Sequence, residues 1–86
     1  MTSSTNYTGL ILVTGASSPS IEGKILETLK PFAIQIIDKQ SMDIRDRYFL
    51  AILISLDRAH SKAIEKDLLK CANSLGIDLA IDYQAS

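Results

Sequence analysis

The run Tyr48–Leu56, "YFLAILISL", constrains this chain more than any other stretch. Only Ser55 in it is frankly polar, so both faces of an extended segment here are apolar. Such a strand belongs in the middle of a sheet, with a strand on each side and a second layer over at least one face. A chain of 86 residues must supply those neighbours from one small domain. A domain of this size buries only about 60–65% of its unfolded surface, so every element has to contribute to one core.

The neighbours are legible on both sides. Residues 1–7 are rich in Ser and Thr and are expected to form a flexible tail, leaving 8–84 as the domain. Thr8–Thr14, aliphatic and β-branched, predicts a first strand. In "SSPS", Ser18 is a candidate N-cap and Pro19 suits a first helical position, because its missing N–H would go unpaired there. Ile21, Ile25, Leu26 and Leu29 then form one helical stripe, which Lys30 and Pro31 close. Phe32–Ile44 reads as a second extended segment, and Arg45–Arg47 as a polar break of hairpin length before the central run. "DRAHSK" opens a second helix, with Asp57 or Ser61 as its cap. Its buried stripe is Ile64, Leu68, Cys71 or Ala72, and Leu75, with Gly76 where a left-handed C-terminal cap is wanted. In the last strand Ile77, Leu79, Ile81 and Tyr83 alternate with Asp78, Ala80 and Asp82. The order βαββαβ predicts an α+β, ferredoxin-like sandwich: a four-stranded antiparallel sheet with both helices on one face. Strands one and three are central, and strands two and four lie at the edges.

The segment "LILVTGASSPSIEGK" suggests a phosphate-binding turn, and its spacing excludes one. A Thr-Gly-x-x-x-Gly-x-Gly turn needs glycines where Pro19 and Ile21 stand, and proline removes an N–H that would grip a phosphate. Neither Tyr7 nor Tyr48 is followed four residues later by lysine. A Walker spacing ending at Gly23-Lys24 needs glycine at Ser18 and a hydroxyl residue at Ile25. His60 is the only histidine and Cys71 the only cysteine, so neither a triad nor a zinc site assembles around them. Glu65, Lys66, Asp67 and Lys70 form a solvated helical face, and Asp78 and Asp82 the outer side of a strand. No catalytic constellation emerges.

Nine basic against ten acidic residues leave no positive excess for a nucleic acid. The central strands also lack the exposed aromatics of an RNA-recognition sheet, since Tyr48 and Phe49 stand only at a strand start. An acylphosphatase-like site would want an arginine in the first loop, and a heavy-metal carrier a Cys-x-x-Cys; "GASSPS" holds neither. Leu10–Val13 is too short for a signal peptide or a membrane span. A lone cysteine fits a reducing setting, so a cytoplasmic protein with no membrane partner is expected. The long second strand would expose unpaired backbone at a sheet edge, which predicts a homodimer through edge strands.

From Leu10 to Tyr83 the pattern resembles an ACT domain, and more narrowly the N-terminal ACT domain of two-part bacterial phosphoserine phosphatases. The residues that carry the resemblance are "LILVTG" before a Pro-containing loop, "ILETLKPFAIQIIDKQS", "IRDRYFLAILISL" and "LGIDLAIDY". The resemblance implies a non-catalytic regulatory or assembly module that senses a small amino acid such as serine. The same resemblance implies attachment to an Mg²⁺-dependent hydrolase of L-serine biosynthesis, whose Asp-x-Asp motif would then lie beyond Ser86. No cofactor is expected in this chain. In such domains the first loop commonly reads Asp/Asn-x-Pro-Gly and meets the second strand of a partner subunit. Here Ser17, Ser18, Pro19 and Ser20 take those places. With the amides at the helix start suited to a carboxylate, the implied ligand residues are Ser17, Ser18, Ser20, Gln35 and Asp38. The alternative is a stand-alone ACT-like sensor or structural dimerisation module with no enzyme attached.

Overall fold

The computed structural model describes residues 7–85, and most of the expected tail lies outside them. Tyr7 itself belongs to the first strand, β1 (Tyr7–Ala16), where its ring stacks on Tyr83 with centroids 5.6 Å apart. The chain continues through α1 (Ile21–Leu29), β2 (Gln35–Ile44), β3 (Arg47–Ser55), a short 3₁₀ turn (Arg58–His60), α2 (Ser61–Leu75) and β4 (Asp78–Ala85). The sheet order is β2-β3-β1-β4 with every neighbouring pair antiparallel, the ferredoxin-like arrangement.

Strand alternation sets the core. Ile11 and Val13 of β1 pair with Ile52 and Leu50 of β3, and all four are buried. Tyr48 and Ile54 extend this face along β3. Over it lie Ile21, Ile25 and Leu29 from α1 and Ile64, Leu68 and Ala72 from α2. Of the two candidates in the α2 stripe, Ala72 takes the buried position while Cys71 is half-buried. Gly76 adopts the expected left-handed cap, at φ 68°, and its N–H reaches the Ala72 and Asn73 carbonyls. Asp57 caps the 3₁₀ turn by accepting from the Ala59 N–H at 2.9 Å. His60 is exposed and stands at the N-terminal boundary of α2, where its side chain makes no capping bond.

Two local features depart from the sequence reading. Helix α1 begins at Ile21, two residues after Pro19, because the preceding serines form their own turn. The Ser18 and Ser20 hydroxyls lie 3.2 Å apart, and the first i to i+4 bond of the helix runs from the Lys24 N–H to the Ser20 carbonyl. In β2 the pairing with β3 steps from Ile36↔Ile54 to Asp38↔Leu53, so Ile37 is an extra, bulged residue. Side chains before and after it therefore change face relative to strict alternation. Asp43, Ser41, Lys39 and Ile36 point to the helix side, and Ile44, Met42, Gln40, Asp38 and Gln35 to the open side.

Candidate functional site

The loop Ser17–Ser20 leaves the end of β1 and is tied down by the β2–β3 hairpin. The Ser17 N–H donates to the Asp46 carbonyl at 2.8 Å. The Ser17 hydroxyl donates to the Asp43 carboxylate, Oγ to Oδ1, at 2.7 Å. Hairpin geometry brings Asp43 here, because it pairs with Tyr48 at the turn end of β2 and faces the helices. The turn itself holds Arg45 in the left-handed region at φ 57°, a conformation costing a non-glycine residue about 1 kcal/mol.

Together these elements enclose an open hollow of about 360 Å³ on the helix side of the sheet. Its walls are Ser17, Ser18 and Pro19 from the loop, Glu22 from α1, Ser41 and Asp43 from β2, and Tyr48 from β3. Glu22 is bonded by the Lys39 ammonium and accepts from the Tyr48 hydroxyl at 3.3 Å. The hydrogen bond from Lys39 holds the Glu22 carboxyl below its ordinary pKa, against a smaller opposing effect of burial. Burial pushes the Tyr48 phenol up, and the neighbouring Glu22 charge adds to that. Among the described residues no cation is bonded to Asp43, so the hollow offers a carboxylate and several hydroxyls to a small polar ligand. A volume of a few hundred Å³ suits a small molecule.

Of the residues that the family resemblance implies, Ser17 and Ser18 line this hollow. Ser20 sits beside it at the start of α1, where its hydroxyl meets Ser18 and its N–H lies 3.5 Å from Ser18 Oγ. Ile21 N–H reaches the Ser18 carbonyl at 3.4 Å, so the loop engages both helix-start amides that would receive a carboxylate. Gln35 and Asp38 are not brought to the hollow. Asp38 lies five residues from Asp43, roughly 17 Å along the strand, and Gln35 further still. Both pair with open-face residues of β3, Ser55 and Leu53, and so lie on the other side of the sheet from the hollow. Asp38 accepts from the Lys39 N–H at 2.8 Å. Sequence reasoning missed Glu22, Ser41, Asp43 and Tyr48. Only Tyr48 carried a signal, as the polar-tipped member of a buried parity.

Among the described residues, no group of three or more His, Cys, Asp or Glu side chains is placed to hold a metal ion. No helix among these residues is long and apolar enough to cross a membrane.

Comparison with known proteins agrees with this architecture. The profile of the ACT domain family matches residues 8–82. Phosphoserine phosphatase SerB2 of Mycobacterium tuberculosis is 31% identical over 75 residues, which make up 85% of this chain and 18% of that protein. The chain therefore spans less than a fifth of the length of this curated relative. A protein described as a glycine cleavage system transcriptional repressor superimposes with a TM-score of 0.85 at 16% identity, over 93% of this chain and 47% of its own. An ACT domain protein from Streptococcus pneumoniae superimposes with a TM-score of 0.78 at 13% identity, over 90% of this chain and 89% of its own. At those identities the two structures share the fold.

Proposed function

The chain belongs to the ACT domain family, and from that membership we propose that it is a non-catalytic regulatory module that binds a small amino acid at the Ser17–Ser20 loop and pairs through β2. The observation that carries this reading is the convergence of the loop, α1, β2 and β3 on one polar hollow beside an open strand edge. In ACT domains of the Asp/Asn-x-Pro-Gly type the loop itself supplies a carboxylate or amide; here Ser17 stands in that place. The Asp43 carboxylate, 2.7 Å from Ser17 Oγ, restores acidic chemistry at the same spot from a different strand. Asp43, rather than Asp38, then takes the ligand's ammonium group, and the serine hydroxyls take its polar side chain. Serine is the first candidate, on the strength of the phosphatase relative.

The second strand supports the assembly half of the proposal. All ten of its residues are exposed. Its large apolar side chains remain about half accessible: Ile36 47%, Ile37 54%, Met42 57% and Ile44 55%. Its outer edge is an open template for another strand. Antiparallel pairing of two copies about Gln40 sets Lys39 of the second copy opposite Ser41, on the hollow side, where its cation can meet a ligand carboxylate. Attachment to a phosphoserine phosphatase, an Mg²⁺-dependent hydrolase acting in the cytoplasm, is the context we propose for this module. A second reading, a stand-alone sensor or dimerisation module, is supported by the Streptococcus pneumoniae protein, whose chain is matched over 89% of its length.

Thermal unfolding in the presence of each amino acid in turn tests the sensor. A ligand at 100-fold its dissociation constant adds about 2.7 kcal/mol, or roughly 10–20 °C for a domain this small. Ser17→Ala and Asp43→Asn should abolish that shift while leaving the ligand-free midpoint nearly unchanged. A flat panel on a dimeric protein refutes sensing by this chain and leaves the dimerisation module. The mass of the endogenous polypeptide, read with an antibody to this domain, separates an attached module from a free one.

A further inference from the structure

The open side of the sheet, away from both helices and the hollow, carries a second depression of about 490 Å³. Ala51 and Ala80 make its floor, and Leu12, Met42 and Phe49 stand around them. The cross-strand register fixes the pattern in rows. Gln40, Ala51, Leu12 and Ala80 form the middle row; Met42, Phe49, Thr14 and Asp78 lie on one side; Asp38, Leu53, Leu10 and Asp82 lie on the other. An apolar centre is thus rimmed by three carboxylates at its corners. Among the described strand residues the one cation on this face, Arg47, lies 4.0 Å from Asp78.

This charge pattern selects the occupant. A second copy stacked face to face in an aligned packing has two ways to obey a two-fold axis in the plane of the sheets. With the axis parallel to the strands, β2 covers β4, and Asp38 meets Asp82 of the copy. With the axis across the strands, β4 covers β4, and Asp78 meets Asp82 of the copy. Both place carboxylate on carboxylate in a desolvated contact, which costs affinity. An anionic bilayer or nucleic acid meets the same repulsion. A helix, about 10 Å wide, fits between the rims: Asp38 and Asp82 stand three strand spacings apart, roughly 14 Å, and Asp78 and Asp82 about 14 Å apart along β4.

We propose that this face is the docking site for an amphipathic α-helix of a partner protein, apolar toward Ala51 and Ala80 and carrying lysine or arginine on both flanks toward Asp38, Asp78 and Asp82. Docking there leaves the β2 edge and the amino-acid hollow free, so it is independent of the function proposed above.

The test uses this 86-residue chain and a displayed library of helical peptides randomised at their surface positions. Selected peptides should be enriched in basic residues on both sides of an apolar stripe. In amide-shift mapping they should perturb Leu12, Phe49, Ala51 and Ala80. The variant Asp78→Lys/Asp82→Lys, altered only at exposed positions, should bind the synthesised winner about tenfold more weakly, whereas Lys66→Glu on α2 should bind it as the parent does. Failure to enrich any peptide overturns the proposal, as do neutral or acidic winners, a footprint on the helices, or unchanged affinity of the aspartate variant. Self-association that Ala51→Arg abolishes also overturns it, by assigning the face to a second copy.

Discussion

Gly15 and Gly23 both look like nucleotide-motif glycines, and substituting each with alanine should give opposite results. Gly15 ends the β1 run facing the helices, paired with Tyr48. A Cβ added there would lie 2.6 Å from Ile77 Cγ2 and 3.1 Å from Ile77 Cβ, with the Ile77 Cα 3.5 Å away. Carbon contacts are comfortable at about 3.5–4.0 Å, so the overlap approaches 1 Å. Rotating Ile77 moves its Cγ2 but leaves its Cβ 3.1 Å away, so the overlap is only partly relieved. Overpacking of this kind costs about 1–3 kcal/mol. The alanine's smaller unfolded-state entropy returns about 0.4–1 kcal/mol, leaving a net loss of about 1–2 kcal/mol. For a domain this size each kcal/mol lowers Tm by about 4–8 °C. Gly23 lies inside α1 with nothing within 4 Å of its added Cβ, so Gly23→Ala should gain about 0.5–1 kcal/mol of helix propensity. Urea unfolding of both variants reads these numbers directly. Combining Gly15→Ala with Ile77→Ala should cost less than the two singles added together, by at least about 0.5 kcal/mol. If Gly15→Ala is neutral, or the two costs simply add, close approach of Ile77 is not why residue 15 is glycine.

The edge-strand reading predicts that the parent sediments as a dimer at micromolar concentration and that Ile37→Lys/Ile44→Lys yields a folded monomer; a monomeric parent at about 100 µM refutes it. Tyr83 donates to the Ser61 carbonyl at 2.7 Å, and burial first, then the Glu65 charge, pushes its phenol up to about 12. A raised folded value means this contribution is complete below about pH 10 and is lost as pH climbs toward the folded value. Tyr83→Phe should therefore flatten the fall in urea midpoint between pH 10 and 12, and an unchanged slope would clear Tyr83 of the effect. Glu22 has the opposite sign. Held low by Lys39, it contributes above its ordinary value of about 4.3 and loses that contribution as pH falls through the lowered folded value. With both partners a third or more exposed, the effect is about 0.5 kcal/mol. Lys39→Met should raise the Glu22 carboxyl pKa in an NMR titration.

Much of the architecture was legible because short-range periodicity carries it. The double apolar parity of Tyr48–Leu56 required a central strand, the helical stripes Ile21, Ile25, Leu26, Leu29 and Ile64, Leu68, Cys71 or Ala72, Leu75 required two helices over one face, and Gly76 marked where the second helix stops. Those signals are local, and burial rewards them in any fold of this order. The polar hollow was only half legible. Ser17 and Ser18 are named by the resemblance to the first loop of ACT domains, and no periodicity in the chain marks them. Their partner Asp43 could not be placed, since it lies 26 residues away and reaches Ser17 through the hairpin register. The face of Gln35 and Asp38 was beyond the sequence for a sharper reason. Strict alternation puts residues 35 and 38 on opposite faces, and the single bulged residue Ile37 puts them on the same one, away from the helices. A bulge changes the side of every residue beyond it without altering the apolar pattern enough to announce itself. The sequence thus determined the order of elements and which faces are buried. The tertiary pairing of β2 on β3 decided which polar side chains meet, because a one-residue step in register changes the sign of a strand's orientation at little cost along an exposed edge.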